Sequence, residues 1–143
     1  MIRPYADSDL EQLLDVWYRA SLVAHPFLSE EFLANERNTI AEQWIPLADT
    51  TVHELDGRVA GFLSLIGDEV GAIFVDPEHQ RRGIGRALMD TARAARPHLA
   101  LSVFEANSIG RAFYAAYGFE FVERRFSEET GQYELRLRLG ERH

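Results

Sequence analysis

The residues best equipped for chemistry cluster in Gln80-Arg81-Arg82-Gly83-Ile84-Gly85-Arg86. Ahead of them the apolar run Ala72-Ile73-Phe74-Val75 reads as a buried strand. Asp76-Pro77 ends it, because proline has no ladder donor and a fixed φ. Behind them Ile84, Ala87, Leu88, Thr91, Ala92 and Ala95 recur at helical spacing. A helix start carries unpaired N–H groups and a partial positive charge, which suits it to phosphate. Gly83 and Gly85 remove side chains that would hold a ligand off the backbone, and three arginines add charge. The stretch therefore predicts a pyrophosphate cradle, with a solvated basic loop as the plainer alternative. Neither common nucleotide loop is present. All fifteen Lys+Arg residues are arginine, so no Walker lysine exists, and Leu88 stands where a dinucleotide fingerprint has its third glycine.

A second stretch, Asn107-Ser-Ile-Gly-Arg-Ala112-Phe113-Tyr114-Ala-Ala-Tyr117-Gly118-Phe119, predicts a helix capped by Asn107 and closed by Gly118. Ile109, Ala112, Phe113, Ala116 and Tyr117 form its apolar stripe, and Tyr114 is set off that stripe. Together, Gln80-x-x-Gly83-x-Gly85 and Asn107…Phe113-Tyr114-x-x-x-Gly118-Phe119 resemble the two conserved blocks of the GNAT N-acetyltransferases. One spacing differs: four residues separate Asn107 from Ala112, where the commonest pattern has two or three. Trp17-x-x-Ala-Ser21-x-x-x-His25-x-Phe27-Leu28 also looks like the start of a group of small bacterial members.

The resemblance implies acetyl-CoA as cosubstrate and an amine as acceptor. It implies that Gln80, Arg81, Arg82, Gly83, Ile84, Gly85 and Arg86 line the pyrophosphate, and that Asn107 touches the cofactor arm besides capping its helix. The strand Ile73-Phe74-Val75 would offer main-chain groups to pantetheine, as a sheet edge does to an extended peptide, and the Val75 N–H would polarise the thioester oxygen. Tyr114 would protonate the departing thiolate. An alkylammonium sits about three pKa units above neutrality, so the amine also needs a base. Glu69, at the start of the same strand, fits by resemblance; a solvated strand-start residue is the other reading. His25 and Phe27, after the first helix, and Trp17 within it, are candidates for the acceptor pocket. No His/Asp/Glu set has metal-ligand spacing, so no metal is expected. A non-catalytic acyl-CoA sensor is the rival function, and another acyl group is not excluded.

These groups need elements to position them. The chain has 143 residues, 46% of them hydrophobic, enough for one domain with a substantial core, here 1–143. There is no cysteine, which excludes disulfides and thiolate chemistry. No apolar run approaches the roughly 20 residues that span a bilayer, and no leader pattern opens the chain, so a cytoplasmic protein is expected. A formal charge of −8 argues against nucleic acid and suits a cationic acceptor. Monomer and homodimer both stay open.

Ile2-Arg3-Pro4 predicts a short strand, and Ser8-Asp9-Leu10-Glu11 a capping box opening a helix that runs to about Ala24. His25-Pro26 breaks it, and Ser29 opens a second helix ending before Pro46. That helix would bury Phe32, Leu33, Ile40 and Trp44, with a division at Asn35–Asn38. Thr51–Leu55 and Val59–Ile66 form a hairpin through Asp56-Gly57, and Glu69–Val75 extends it to a meander. The glycine-loop helix, a strand at His98–Phe104 parallel to its partner, the Asn107 helix, and strands Phe119–Phe126 and Tyr133–Leu139 follow. Glu141–His143 is a frayed tail. The order β-α-α-β-β-β-α-β-α-β-β predicts an α/β fold: a single mixed sheet of about seven strands flanked by about four helices, the fold the resemblance also implies.

Overall fold

The computed structural model describes residues 1–140, so the tail at Glu141–His143 lies outside the described residues. Seven strands form one mixed sheet in the order β1-β2-β3-β4-β5-β7-β6. They are β1 (Ile2–Pro4), β2 (Asp49–Leu55), β3 (Arg58–Ile66), β4 (Glu69–Val75), β5 (Leu99–Phe104), β6 (Glu120–Ser127) and β7 (Gln132–Leu139). The helices are α1 (Leu10–Ala24), α2 (Glu30–Thr39), the single turn α3 (Ile45–Leu47), α4 (Ile84–Ala95) and α5 (Ser108–Tyr117). This is the expected α/β architecture with nearly the expected order.

Asp56 and Gly57 both have positive φ, 53° and 77°, the conformation that a two-residue hairpin between β2 and β3 requires. β3 is buried on both faces, at the middle of two apolar layers. On one side Leu63, Leu65, Leu99 and Leu101 pack with Leu88 and Met89 of α4. On the other, Val52 and Phe62 pack with Leu13, Leu14, Val16 and Trp17 of α1 and Leu33 of α2.

Three local expectations are corrected. The Ser8–Glu11 capping box does not form: the chain enters α1 through a 3-10 turn at Asp7–Asp9. There the Asp9 carboxylate accepts from the Ala6 N–H at 2.8 Å, while Arg3 holds it with two bonds of 2.8 Å. A carboxylate is the stronger acceptor and displaces the serine hydroxyl from that role. The second helix divides after Thr39 rather than at Asn35–Asn38, through a π-helical turn at Ile40–Trp44 that precedes Pro46. Pro46 has no N–H to donate, and a widened turn is one way for a helix to adapt. Trp44 is 43% exposed, outside the core. On α5, Ile109, Ala112 and Ala116 are exposed, and Phe113, Tyr114 and Tyr117 are the residues packed on the core. The helix meets the sheet along this aromatic edge, so Tyr114 faces inward.

Two irregularities of β4 matter for function. Against β3, Ser64 pairs with Ala72 and Leu65 with Val70, which leaves Gly71 as the extra residue of a bulge. Against β5, the parallel pairing is confined to Glu69 and Ala100. Past that point the strands part, and the β5-side edge of β4 has no ladder partner on β5.

Candidate active site

A cavity of about 470 Å³ opens in the gap between β4 and β5. Glu69 through Phe74 all line it in succession. Alternate residues of a strand point to opposite faces, so a run of six places the cavity against the strand's edge. Main-chain groups of β4 are thereby presented to whatever fills it. Ser102, Val103 and Phe104 of β5 line the opposite arm, and Asn107 and Tyr114 line it from the α5 side.

Tyr114 is partly buried, and enclosure by protein raises its phenol above the ordinary tyrosine pKa, which keeps the proton on oxygen at neutral pH. Its ring packs edge-on against Phe113 and Phe119, with centroids 5.5 and 5.6 Å away. Asn107 caps α5, its Oδ1 accepting from the Gly110 N–H at 2.9 Å. That fixes the amide, so Nδ2 faces His25 Nε2 at 3.2 Å. The amide can only donate there, and His25 must present an unprotonated Nε2. Burial agrees, lowering the imidazole to about 4. His25 also sits among Phe104, Phe27 and Phe74, at centroid distances of 5.0, 5.7 and 6.4 Å. The ring thus bridges both arms of the gap with its free lone pair already engaged.

Trp17, Ser21 and His25, one α-helical turn apart, form the α1 wall. Phe32, Glu36, Ile40 and Trp44 repeat every four residues along the α2 side, and Ser127, Glu129 and Thr130 close the far end from the β6–β7 loop. Phe27 is absent from this lining and instead packs on Phe104 at 5.3 Å. Glu69 lines the cavity, but Arg136 holds both of its oxygens, at 2.6 and 2.9 Å. Glu36 has its pKa raised by burial and by the nearby negative charge of Glu129. Among the described lining residues there are four glutamates and no arginine. Glu36 and Phe104 join the lining without a motif to mark them, though the four-residue spacing of Phe32, Glu36, Ile40 and Trp44 is a signal for the first, and Ser21 lies in the Trp17–His25 stretch.

Gln80 to Arg86 lie beyond the cavity, at the end of β4. Gln80 Nε2 donates to the Val75 carbonyl at 3.4 Å. Arg81 and Gly83 have positive φ, 66° and 79°, and Gly83 is the N-cap from which α4 begins. A Cβ on Gly83 would meet nothing, and its glycine answers to backbone conformation. A Cβ on Gly85 would lie 3.3 Å from the Phe113 ring, so that glycine lets α4 and α5 close together. Arg81 and Arg82 are exposed, while Arg86 lies over the Tyr117 ring at 5.4 Å. Asp76, Glu78 and His79 gather within 4.8 Å of one another, a grouping that spacing did not suggest. Both Asp76 oxygens are already bonded to Arg19.

The parted sheet, the bulge in β4 and the glycine-rich helix start at its end belong to an α/β domain of the GNAT fold, as the comparisons with known proteins show. The family model for the acetyltransferase (GNAT) domain matches residues 46–121. The peptidyl-lysine N-acetyltransferase YiaC of Escherichia coli (strain K12) is 34% identical over 131 residues, covering 91% of this chain and 90% of its own. The solution structure of apo-form YjaB from Escherichia coli aligns with a TM-score of 0.86 at 28% identity, over 98% of this chain and 97% of that one. The PaiA N-acetyltransferase of Thermoplasma acidophilum, solved in complex with coenzyme A, aligns at 0.75 and 20% identity, over 95% and 96%. The chain belongs to the GNAT acetyltransferase family, and it is an N-acetyltransferase. The sensor reading is thereby set aside. No helix among the described residues is long and apolar enough to cross a membrane.

Proposed function

We propose that residues 1–143 act as one acetyltransferase domain that moves the acetyl group of acetyl-CoA to the side-chain amine of a peptidyl lysine, by direct attack. The observation that carries this reading is the cavity itself. It runs from the unpaired edge of β4 and Tyr114 to an apolar wall bearing Glu36 and Glu129. One end suits a thioester and its arm; the other suits an alkyl chain with a positive charge near it. The names of the YiaC and YjaB relatives support a lysine acceptor.

In this reading the amides from Gln80 to Arg86 hold the diphosphate. The β4 edge at Ile73, Phe74 and Val75 pairs with pantetheine, and the Val75 N–H steadies the oxyanion. The deprotonated amine attacks the thioester carbon, the carbon–sulfur bond breaks, and Tyr114 gives its proton to the sulfur. The phenolate then takes back a proton released by the attacking nitrogen. In the same reading Glu69, held by Arg136, accepts the amine's first proton through water. Trp17 forms part of the acceptor wall, and His25 shapes it.

The test is thiol release from acetyl-CoA on addition of a lysine peptide with a blocked N-terminus, with mass spectrometry locating the added acetyl group. Release with acetylation at lysine is expected. No release above buffer across a panel of such peptides, or label found elsewhere, would overturn the lysine assignment.

A further inference from the structure

We infer that Arg19 is a positioning residue for the cosubstrate loop, acting through Asp76; this rests on reading Gln80–Arg86 as the seat of the diphosphate. Asp76 follows β4 directly, and its side chain is 9% exposed. Both carboxylate oxygens accept from Arg19, Nη1 and Nη2 each at 2.7 Å. Oδ1 also accepts from the Glu78 N–H at 3.0 Å. The Asp76 N–H donates to the Ala60 carbonyl of β3 at 2.8 Å, and its own carbonyl accepts from the His79 N–H at 2.8 Å. One buried residue thus ties the sheet, α1 and the first turn of the loop together.

The loop beyond it has few other restraints. Gln80 through Gly83 are exposed, and Arg81 occupies the left-handed region, uncommon for a residue with a side chain. Among the described residues, Arg19–Asp76 is the ion pair that joins the segment 76–83 to the body of the fold. A bidentate guanidinium–carboxylate pair fixes angle as well as distance. Its base is rigid: Val16, Trp17 and Ala20 around Arg19 are buried, and Asp15 braces the guanidinium at 2.9 Å. A side chain on α1, 57 residues upstream, therefore sets the direction in which the chain leaves β4. A loop whose exit from β4 is already fixed leaves less ordering to be done when a diphosphate binds it. Tyr114 does not touch this pair, and the end of β4 keeps the Asp76 N–H bond to the Ala60 carbonyl when the pair is lost, so its loss should weaken cosubstrate binding more than the chemical step.

The experiment compares wild type with R19M, R19K, D76N and R19M/D76N, by calorimetric titration with coenzyme A, steady-state kinetics and thermal melts. R19M should raise the coenzyme A Kd and the acetyl-CoA KM about tenfold, with kcat at saturation within about twofold of wild type. R19K keeps the charge without the planar fork and should recover only part of the affinity. D76N keeps an acceptor for the Glu78 N–H and should fall between. R19M/D76N removes the stranded carboxylate, so it should regain melting temperature while coenzyme A affinity stays low. That split separates positioning from the cost of a buried charge. Unchanged Kd in R19M, or in D76N should R19M not fold, would overturn the proposal, as would a double variant that regains affinity together with stability. A wild-type protein that does not bind coenzyme A would instead remove the cosubstrate reading that underlies it.

Discussion

Tyr114 and His25 show how one side chain's surroundings decide what it can do. Burial holds the proton on the Tyr114 phenol, which the proposed mechanism requires of a group that protonates a leaving thiolate. Tyr114→Phe should lower kcat about a hundredfold, within the usual range for losing one general acid, and leave the coenzyme A Kd unchanged. Turnover equal to wild type in stopped-assay kinetics would remove Tyr114 from the reaction. His25 illustrates the opposite constraint. Its Nε2 accepts from Asn107 and burial lowers its pKa from 6.5 to about 4, so it cannot serve as the base at neutral pH. The same shift has a consequence for stability. Between those two values the unfolded chain binds a proton that the folded chain refuses, so stability falls as pH falls through that window. His25→Gln can still accept from Asn107 and does not titrate. Its melting temperature should decline less than wild type's between pH 6.5 and pH 4, by about 5 °C. Parallel melting curves for the two proteins across that range would show that the ring is not buried neutral.

At the scale of elements, what could be read from the residues was whatever local spacing determines. The apolar runs, the Asp56-Gly57 turn, the Ser29 cap and the Gly118 stop are local, and each stands where the spacing puts it. The inward face of α5 was not legible, because the helix touches the sheet along the edge that carries Phe113, Tyr114 and Tyr117 and leaves the alanines outside. Nor were Arg19–Asp76, Arg136–Glu69 and His25–Asn107, which join residues 57, 67 and 82 positions apart and follow only from the assembled sheet. The glycine loop lay between these cases: its type and place were evident, but the separate tasks of its two glycines were not. A Cβ on Gly83 would meet no protein atom and its φ is 79°, so what the fold itself requires there is conformational. Gly83→Ala should cost about 1 kcal/mol by urea denaturation, and Gly83→Asn less, since asparagine tolerates the left-handed region. Equal losses for the two variants would mean that contact, not conformation, selects glycine there.

For the whole molecule, the charge distribution joins the cavity to the solvent around it. The chain carries a formal charge of −8, and the described lining of the cavity bears four glutamates, of which Glu69 is matched by Arg136. On the proposed reading, the field of such a surface would gather cations toward the acceptor end and repel acidic peptides. It would also oppose an anionic cosubstrate, so on the same reading the arginines of the loop work against the molecule's net charge. Exposed charges separated by more than about 8 Å are largely screened at physiological ionic strength, and attraction of this kind should fade with salt. With acetyl-CoA saturating, kcat/KM for a lysine peptide of charge about +3 should fall roughly fivefold between low and high salt, while that for a peptide of zero net charge stays nearly flat. Saturating the cosubstrate matters, because salt also screens both the repulsion from the net charge and the attraction of the loop arginines. If the basic peptide's kcat/KM held steady or rose with salt, acceptor choice would rest on contacts inside the cavity, and the acidic surface would have no part in it.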